Sequence, residues 1–326
     1  MKTAECVAPG HPDKVCDQIS DAILDECLRQ DPKSRVAIEV MGGHGIISIT
    51  GELTTKAFVY MDQIAKNVYK TIGYTDAIGV TINVVSQSPD IAQGVDTGGA
   101  GDQGIMVGYA TAENKAMIPQ ELFLAREILC QLPKGFGPDA KSQVTLDDEG
   151  NVDTVVISAM HAPKASYKPL EELAKSFKPK RFFVNPTGQF VVGGFAADTG
   201  LTGRKLAVDN YGPQIPLGGG CFSGKDPSKV DRSGAYMARK IACDLVREGA
   251  EVALVKIAYS IGVAEPVMAT AHVQLKASDD AREINLLKDK KYHLKPKEII
   301  EQLELKRPIY LKTAAHGHFG HGFVWD

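Results

Sequence analysis

No two of the six cysteines (Cys6, Cys16, Cys27, Cys130, Cys221 and Cys243) form a C-x-x-C pair, which excludes the common zinc and dithiol motifs. An excess of basic residues is also lacking. Thirty-seven Lys and Arg stand against 40 Asp and Glu, for a formal net charge of -3. The chain therefore has no general attraction to nucleic acid or anionic membrane, and an anionic ligand must be met locally. No stretch reaches the roughly 18 apolar residues of a membrane span, and the opening "MKTAECVAPGHPDK" has no apolar core of a signal peptide. These absences point to a reduced, cytoplasmic protein. With 44% hydrophobic and 24% charged residues over 326 positions, it is an ordinary globular chain of two or three domains.

Periodicity gives the organisation. Residues 14–29 place Val15, Ile19, Ala22, Ile23 and Cys27 at helical spacing, with Pro12 suited to the helix start. "RVAIEV" and "GIISITGEL" read as strands, "TKAFVYMDQIAKNVYKTIG" as a helix and "AIGVTINVVS" as another strand. A second pass runs from "GIMVGYA" through the helix "PQELFLAREILCQL", the strands "SQVTLDD" and "VDTVVISAMH" and the helix "LEELAKSF" to "RFFVNP". A third opens at "GQFVVGG" and continues through "SGAYMARKIACDLVREG" into "AEVALVKIAYSIG". This recurring order predicts an α+β chain of three units, each a sheet with helices on one face. The expected boundaries are 1–93, 94–190 and 191–326.

Two glycine motifs invite a nucleotide reading. Gly219–Lys225 contributes to a G-x-x-x-x-G-K pattern, but Asp226 stands where a P-loop has Ser or Thr, and Pro213 and Pro216 bar a central strand running into it. Gly99–Gly104 matches G-x-G-x-x-G, yet it follows "PDIAQGVDTG" rather than a strand. Residues 90–104 read better as a mobile glycine-rich lid.

"GHPDK" sets His11, Asp13 and Lys14 around a helix start, where free N–H groups favour an anion. The plainer alternative is a turn with Asp13 complementing the helix dipole. Asp17, Asp21 and Asp25 recur every four residues, which reads as a solvated face. "DTGLTGRK" supplies Asp198, Arg204 and Lys205, and "GKDPSKVDR" supplies Lys225, Lys229 and Asp231. Two cationic loops with interspersed carboxylates suit a polyphosphate with Mg²⁺. His316, His318 and His321 lack zinc spacing and read as turn and packing residues.

Taken in order, "GHPDK", "QSPDIAQGVD", "GAGDQG", "PDAKSQVT", "FFVNPTGQFVVGG", "DTGLTGRK", "GGGCFSGKDPSKVDRS" and "TAAHGHFG" closely resemble the S-adenosylmethionine synthetase family, also called methionine adenosyltransferases. The resemblance runs from Glu5 to about Gly320. It implies three similar α/β subdomains with pseudo-three-fold symmetry, in a homodimer or dimer of dimers with active sites at the interface. It also implies ATP and L-methionine as substrates, displacement of tripolyphosphate, and its hydrolysis to pyrophosphate and phosphate. By resemblance, Lys225, Arg204 and Lys205 hold phosphates, Asp13 and Asp231 bind two Mg²⁺, and Glu39 holds K⁺. His11 lies at the bond that breaks. Asp139, Lys141, Gln189, Phe190 and Cys221 line the ATP site, and Lys141 also counts among the catalytic set. Glu52, Gln87, Asp198 and Lys229 hold methionine, with Asp198 also near ATP. Gln189, Cys221 and His316 depart from the usual family residues, and the stretch from Val40 to Gln87 and the lid are short. Another ATP-dependent phosphotransferase or a nucleotide-binding regulator would also explain the cationic loops.

Overall fold

The computed structural model describes residues 1–87, 98–275, 281–289 and 291–326. Among them are eight α-helices: α1 (Pro12–Gln30), α2 (Met61–Ile72), α3 (Gln120–Cys130), α4 (Lys168–Ser176), α5 (Leu206–Asp209), α6 (Val230–Arg247), α7 (Pro296–Gln302) and α8 (Tyr310–His316). The strands are β1 (Lys2–Val7), β2 (Arg35–Gly43), β3 (Ile46–Thr54), β4 (Gly79–Val85), β5 (Gly104–Thr111), β6 (Phe136–Leu146), β7 (Val152–His161), β8 (Arg181–Val184), β9 (Gly200–Leu201), β10 (Ala250–Tyr259), β11 (Met268–Leu275) and β12 (Ala281–Asn285). The chain is α+β, with three four-stranded sheets.

Each sheet takes its edge strand from a distant part of the sequence. The orders are β9-β2-β3-β4, β1-β6-β7-β8 and β5-β10-β11-β12. β3 and β4 pair in parallel, as do β7 and β8, while β11 and β12 run antiparallel. The parallel pairs need a crossover, which α2 and α4 supply. In β2, Val36, Ile38 and Val40 point into the core while Ala37, Glu39 and Met41 face outward, the period of two expected for a sheet covered on one side. The helices α1, α3 and α6 pack on these inner faces.

Several sequence readings shift. The second helix starts at Met61 rather than in "TKAFVY", because Phe58 N–H donates to Gln30 and Lys56 N–H to Asp31, holding this stretch as a connection to α1. "GQFVVGG" forms no strand. Its end enters a short 3-10 turn at Gly194–Ala196, and the third unit contributes β9 instead. Gly104 opens a strand, not a helix, so no dinucleotide fingerprint forms. Residues 90–97 of the expected lid lie outside the described residues. Ala100 forms a bridge with Ile261.

Candidate active site

Helix α1 is buried along most of its length. Its apolar residues Val15, Ile19 and Ile23 enter the core, yet Asp13, Lys14, Asp17 and Asp21 on its polar side are all fully buried. The expected solvated face is therefore wrong. A buried carboxylate must be paired or hydrogen-bonded, and each of these is. Asp21 receives a two-pronged bond from Arg232, at 2.8 and 2.6 Å, and the Gly224 N–H at 2.8 Å. Asp17 accepts the Gly203 N–H at 2.8 Å and lies 3.0 Å from Lys14 Nζ. Asp25 accepts the N–H groups of Tyr310 and Leu311 at the start of α8.

His11 caps α1. Its Nδ1 accepts the Asp13 N–H at 3.2 Å, and the side chain is buried. Desolvation, followed by the charges of Lys205 and Lys141, lowers its pKa to about 4. The ring is neutral near pH 7. With Nδ1 accepting, the proton sits on Nε2 as a donor.

The segment "DTGLTGRK" docks onto this helix start. Leu201 pairs with Met41. Gly200 passes so close that a Cβ there would lie 2.1 Å from the Pro12 carbonyl oxygen. Asp13 Oδ1 accepts the Leu201 N–H at 3.0 Å and Arg204 Nε at 2.8 Å, and Oδ2 accepts Lys205 Nζ at 2.6 Å. Burial alone would raise the Asp13 pKa, but the bonds from Lys205 and Leu201 hold it below the usual value.

A second grouping forms around the glycine segment. Asp231 accepts the Gly220 N–H at 2.8 Å and Lys225 Nζ at 2.9 Å. Gly224 has φ +82°, and a Cβ there would lie 2.0 Å from the Ile38 carbonyl oxygen, so glycine is required. Arg232 donates to the Lys225 carbonyl at 2.9 Å. The helix begins only at Val230, unlike a P-loop, whose lysine enters the helix directly. Glu39 and Glu52 stand on the outer face of their sheet. The Glu39 pKa is raised, chiefly by desolvation, with Lys225 opposing and Glu52 adding. Cys221 is half-buried, and desolvation pushes its thiol to about 11. It lies under Gly203, where an added Cβ would fall 2.4 Å from its own, so the two loops meet there. Lys225 and Asp231 line a cleft of about 690 Å³ together with Gly218–Gly220.

Asp139 is buried, accepts the Gly194 N–H at 2.9 Å, and has its pKa raised to about 6, mainly by desolvation. The charges of Lys141 and Asp198 reach both Asp139 and His11. Phe190 is fixed by its backbone: its N–H donates to His161 Nε2 at 3.0 Å and its carbonyl accepts the His161 N–H at 2.9 Å. Gln189 beside it is exposed. The structure thus gathers His11, Asp13, Asp139, Lys141, Asp198, Arg204 and Lys205, and separately Lys225, Asp231, Glu39, Glu52 and Cys221. Lys229 Nζ is tied to Asp226 beside Lys225, and the Gln87 backbone N–H donates to Thr54, two residues beyond Glu52 on β3. Among the described residues no three His, Cys, Asp or Glu side chains cluster as a metal site, and no helix is long and apolar enough to cross a membrane. His318 packs as expected, hydrogen-bonded to Tyr236 at 2.7 Å and edge-on to Phe222.

Sequence reasoning missed Asp17, Asp21 and Arg232, whose buried pairs hold the two cationic loops in place. The four-residue spacing of the aspartates was visible, but not the elements that cover them.

Comparison with known proteins identifies the family. Three family models match consecutive parts of the chain: S-adenosylmethionine synthetase N-terminal domain over residues 1–93, central domain over 97–190 and C-terminal domain over 192–326. The S-adenosylmethionine synthase of Wolinella succinogenes is 47% identical over 366 residues, covering 99% of this chain and 94% of the relative. That of Helicobacter pylori is 46% identical over 364 residues, with the same coverage. Both alignments are longer than the 326 residues here, so the relatives carry segments this chain lacks. With nearly its whole length matched in order, the chain belongs to the S-adenosylmethionine synthetase family.

Proposed function

We propose that the two charged groupings bind ATP along its triphosphate and that methionine sulfur attacks C5′ of the ribose beside His11. The overall reaction follows from family membership: the chain is a methionine adenosyltransferase, making S-adenosylmethionine from ATP and L-methionine. The sulfur lone pair forms the new bond to C5′, the C5′–O5′ bond breaks, and its electrons leave on the triphosphate. Water then attacks phosphorus to give pyrophosphate and phosphate.

A thioether needs no general base, so the chain's work is alignment and stabilisation of the leaving group. His11 Nε2–H donates to the leaving oxygen. Arg204, Lys205 and Lys225 hold the phosphates, Asp139, Lys141, Gln189, Phe190 and Cys221 surround the nucleotide, and Glu52, Gln87, Asp198 and Lys229 hold methionine. Asp13 and Asp231 are single carboxylates rather than a cluster, which fits Mg²⁺, commonly held by one or two carboxylates plus substrate phosphates. They would hold two Mg²⁺, which neutralise charge on the triphosphate when bound, and Glu39 would hold K⁺. The observation that carries this reading is His11, whose Nδ1 accepts the Asp13 N–H and so leaves Nε2 to donate, beside Asp13 held by Arg204 and Lys205.

The three units are related by pseudo-three-fold symmetry in this reading, with domains at 1–93, 94–190 and 191–326. In support, each unit opens with a strand that completes another unit's sheet, in cyclic order. The exposed Met41, Ile46 and Leu201 lie on the same sheet face as Glu39 and Glu52. We accordingly propose a homodimer, or a dimer of dimers, with the sites at its interface. Six free cysteines support a cytoplasmic enzyme.

Incubation with ATP, Mg²⁺, K⁺ and methionine tests the reading. S-adenosylmethionine, pyrophosphate and phosphate are expected. ADP would indicate a kinase, and absence of turnover a regulator. Sedimentation analysis tests the dimer.

A further inference from the structure

We infer that Tyr74 is a positioning residue for the adenosyl-transfer step, acting through the turn that carries His11 and resting on the role proposed for that histidine. Tyr74 follows α2, far in sequence from both glycine loops, and is buried. Its hydroxyl donates to the Gly10 carbonyl at 2.5 Å, immediately before His11. Its ring lies against Gly194, where an added Cβ would fall 2.4 Å from Cζ, at φ +60°. Gly194 is the residue whose N–H holds Asp139. On its other side Gly10 abuts Pro138, with an added Cβ only 2.5 Å from that carbonyl. One side chain thus fixes the spacing between the His11 turn and the Asp139–Gly194 contact, drawing on all three parts of the chain.

The ring cannot drift. Tyr69 stacks on it at 4.7 Å and 16°, and Phe195 stacks on Tyr69 at 5.4 Å and 7°. Tyr69 in turn donates to Asp76 at 2.9 Å. Both hydroxyls lie in the same aromatic stack, but only that of Tyr74 reaches the His11 turn. Tyr69→Phe is therefore the internal control. A small displacement of a catalytic donor is sufficient to slow chemistry strongly, whereas loss of a hydroxyl that only supports packing affects stability alone.

The test measures S-adenosylmethionine formation, the KM for ATP and hydrolysis of added tripolyphosphate in Tyr74→Phe, Tyr74→Met, Tyr69→Phe, His11→Ala and the His11→Ala/Tyr74→Phe pair. We expect Tyr74→Phe to lower kcat for transfer about tenfold, leaving the KM for ATP and tripolyphosphate hydrolysis within about twofold. It should cause no further fall when His11 is already Ala, the non-additivity of residues acting through one group. Tyr69→Phe should leave kcat unchanged. Tyr74→Met keeps an apolar filler and should match Tyr74→Phe. The inference is overturned if Tyr74→Phe slows both steps equally, if it behaves as Tyr69→Phe does, or if its effect is undiminished in the His11→Ala background. A His11→Ala enzyme with normal transfer would instead overturn the role given to His11, and this inference with it.

Discussion

Replacing His11 by Ala should separate the two chemical steps. His11 is buried, and its ring carries a proton on Nε2 because Nδ1 accepts the Asp13 N–H. With charge building on O5′ as sulfur attacks, removing one preorganised donor costs on the order of 10²–10³ in rate, about 3–4 kcal/mol. The substitution also removes the N-cap of α1, which costs about 1 kcal/mol of stability. Against a total of roughly 5–15 kcal/mol, that leaves nearly every molecule folded, so the activity loss is not an unfolding artefact. Hydrolysis occurs at phosphorus and depends on Arg204, Lys205 and Lys225, so turnover of added tripolyphosphate should be largely retained. His11→Asn, whose amide both accepts the Asp13 N–H and donates, should recover part of the transfer rate. The wild-type transfer step should show no histidine inflection from His11 between pH 6 and 8, because its pKa is lowered to about 4. Rates of product formation and phosphate release decide the matter. An equal fall of both activities, in a folded variant that still binds ATP, would refute the reasoning.

Asp231→Asn should raise the Mg²⁺ concentration needed for half-maximal turnover while circular dichroism stays unchanged, since a charged oxygen becomes a neutral amide of equal size. Unaltered Mg²⁺ dependence counts against the assignment. Asp21→Asn leaves the fully buried Arg232 without a counter-charge, at a cost of about 3–5 kcal/mol and roughly 10 °C in Tm. A shift under about 3 °C would mean the pair is not needed to hold the glycine segment. Asp139 has a pKa of about 6 in the fold against 3.8 ordinarily, so the native state keeps its proton longer than the unfolded chain. Its contribution favours folding at low pH and is lost as pH rises from about 4 to 6. Asp139→Asn, which still accepts the Gly194 N–H, should therefore gain stability relative to wild type from pH 4 to 7. Thermal melts showing a constant difference across that range would contradict this.

The sequence by itself determined the long helices, the central strands and the family. Alternation in "RVAIEV" and helical spacing in residues 14–29 are local consequences of burying one face, and the ordered motifs from "GHPDK" to "TAAHGHFG" carry the chemistry in short stretches that need no fold to be read. Only tertiary structure decided which strand completes which sheet. Gly200–Leu201 is two residues long, with no pattern to detect, and forms an edge because a close glycine approach brings it to α1 and β2. The aspartates of α1 show the same limit. A polar face every four residues is equally consistent with water and with Arg232, Lys14 and the start of α8, because amphipathicity records that a face is polar and not what covers it. What covers Asp17 and Asp21 lies about 190 and 210 residues away, and those distant partners, through hydrogen bonds only the fold can form, turn a charged helix face into the support for both cationic loops.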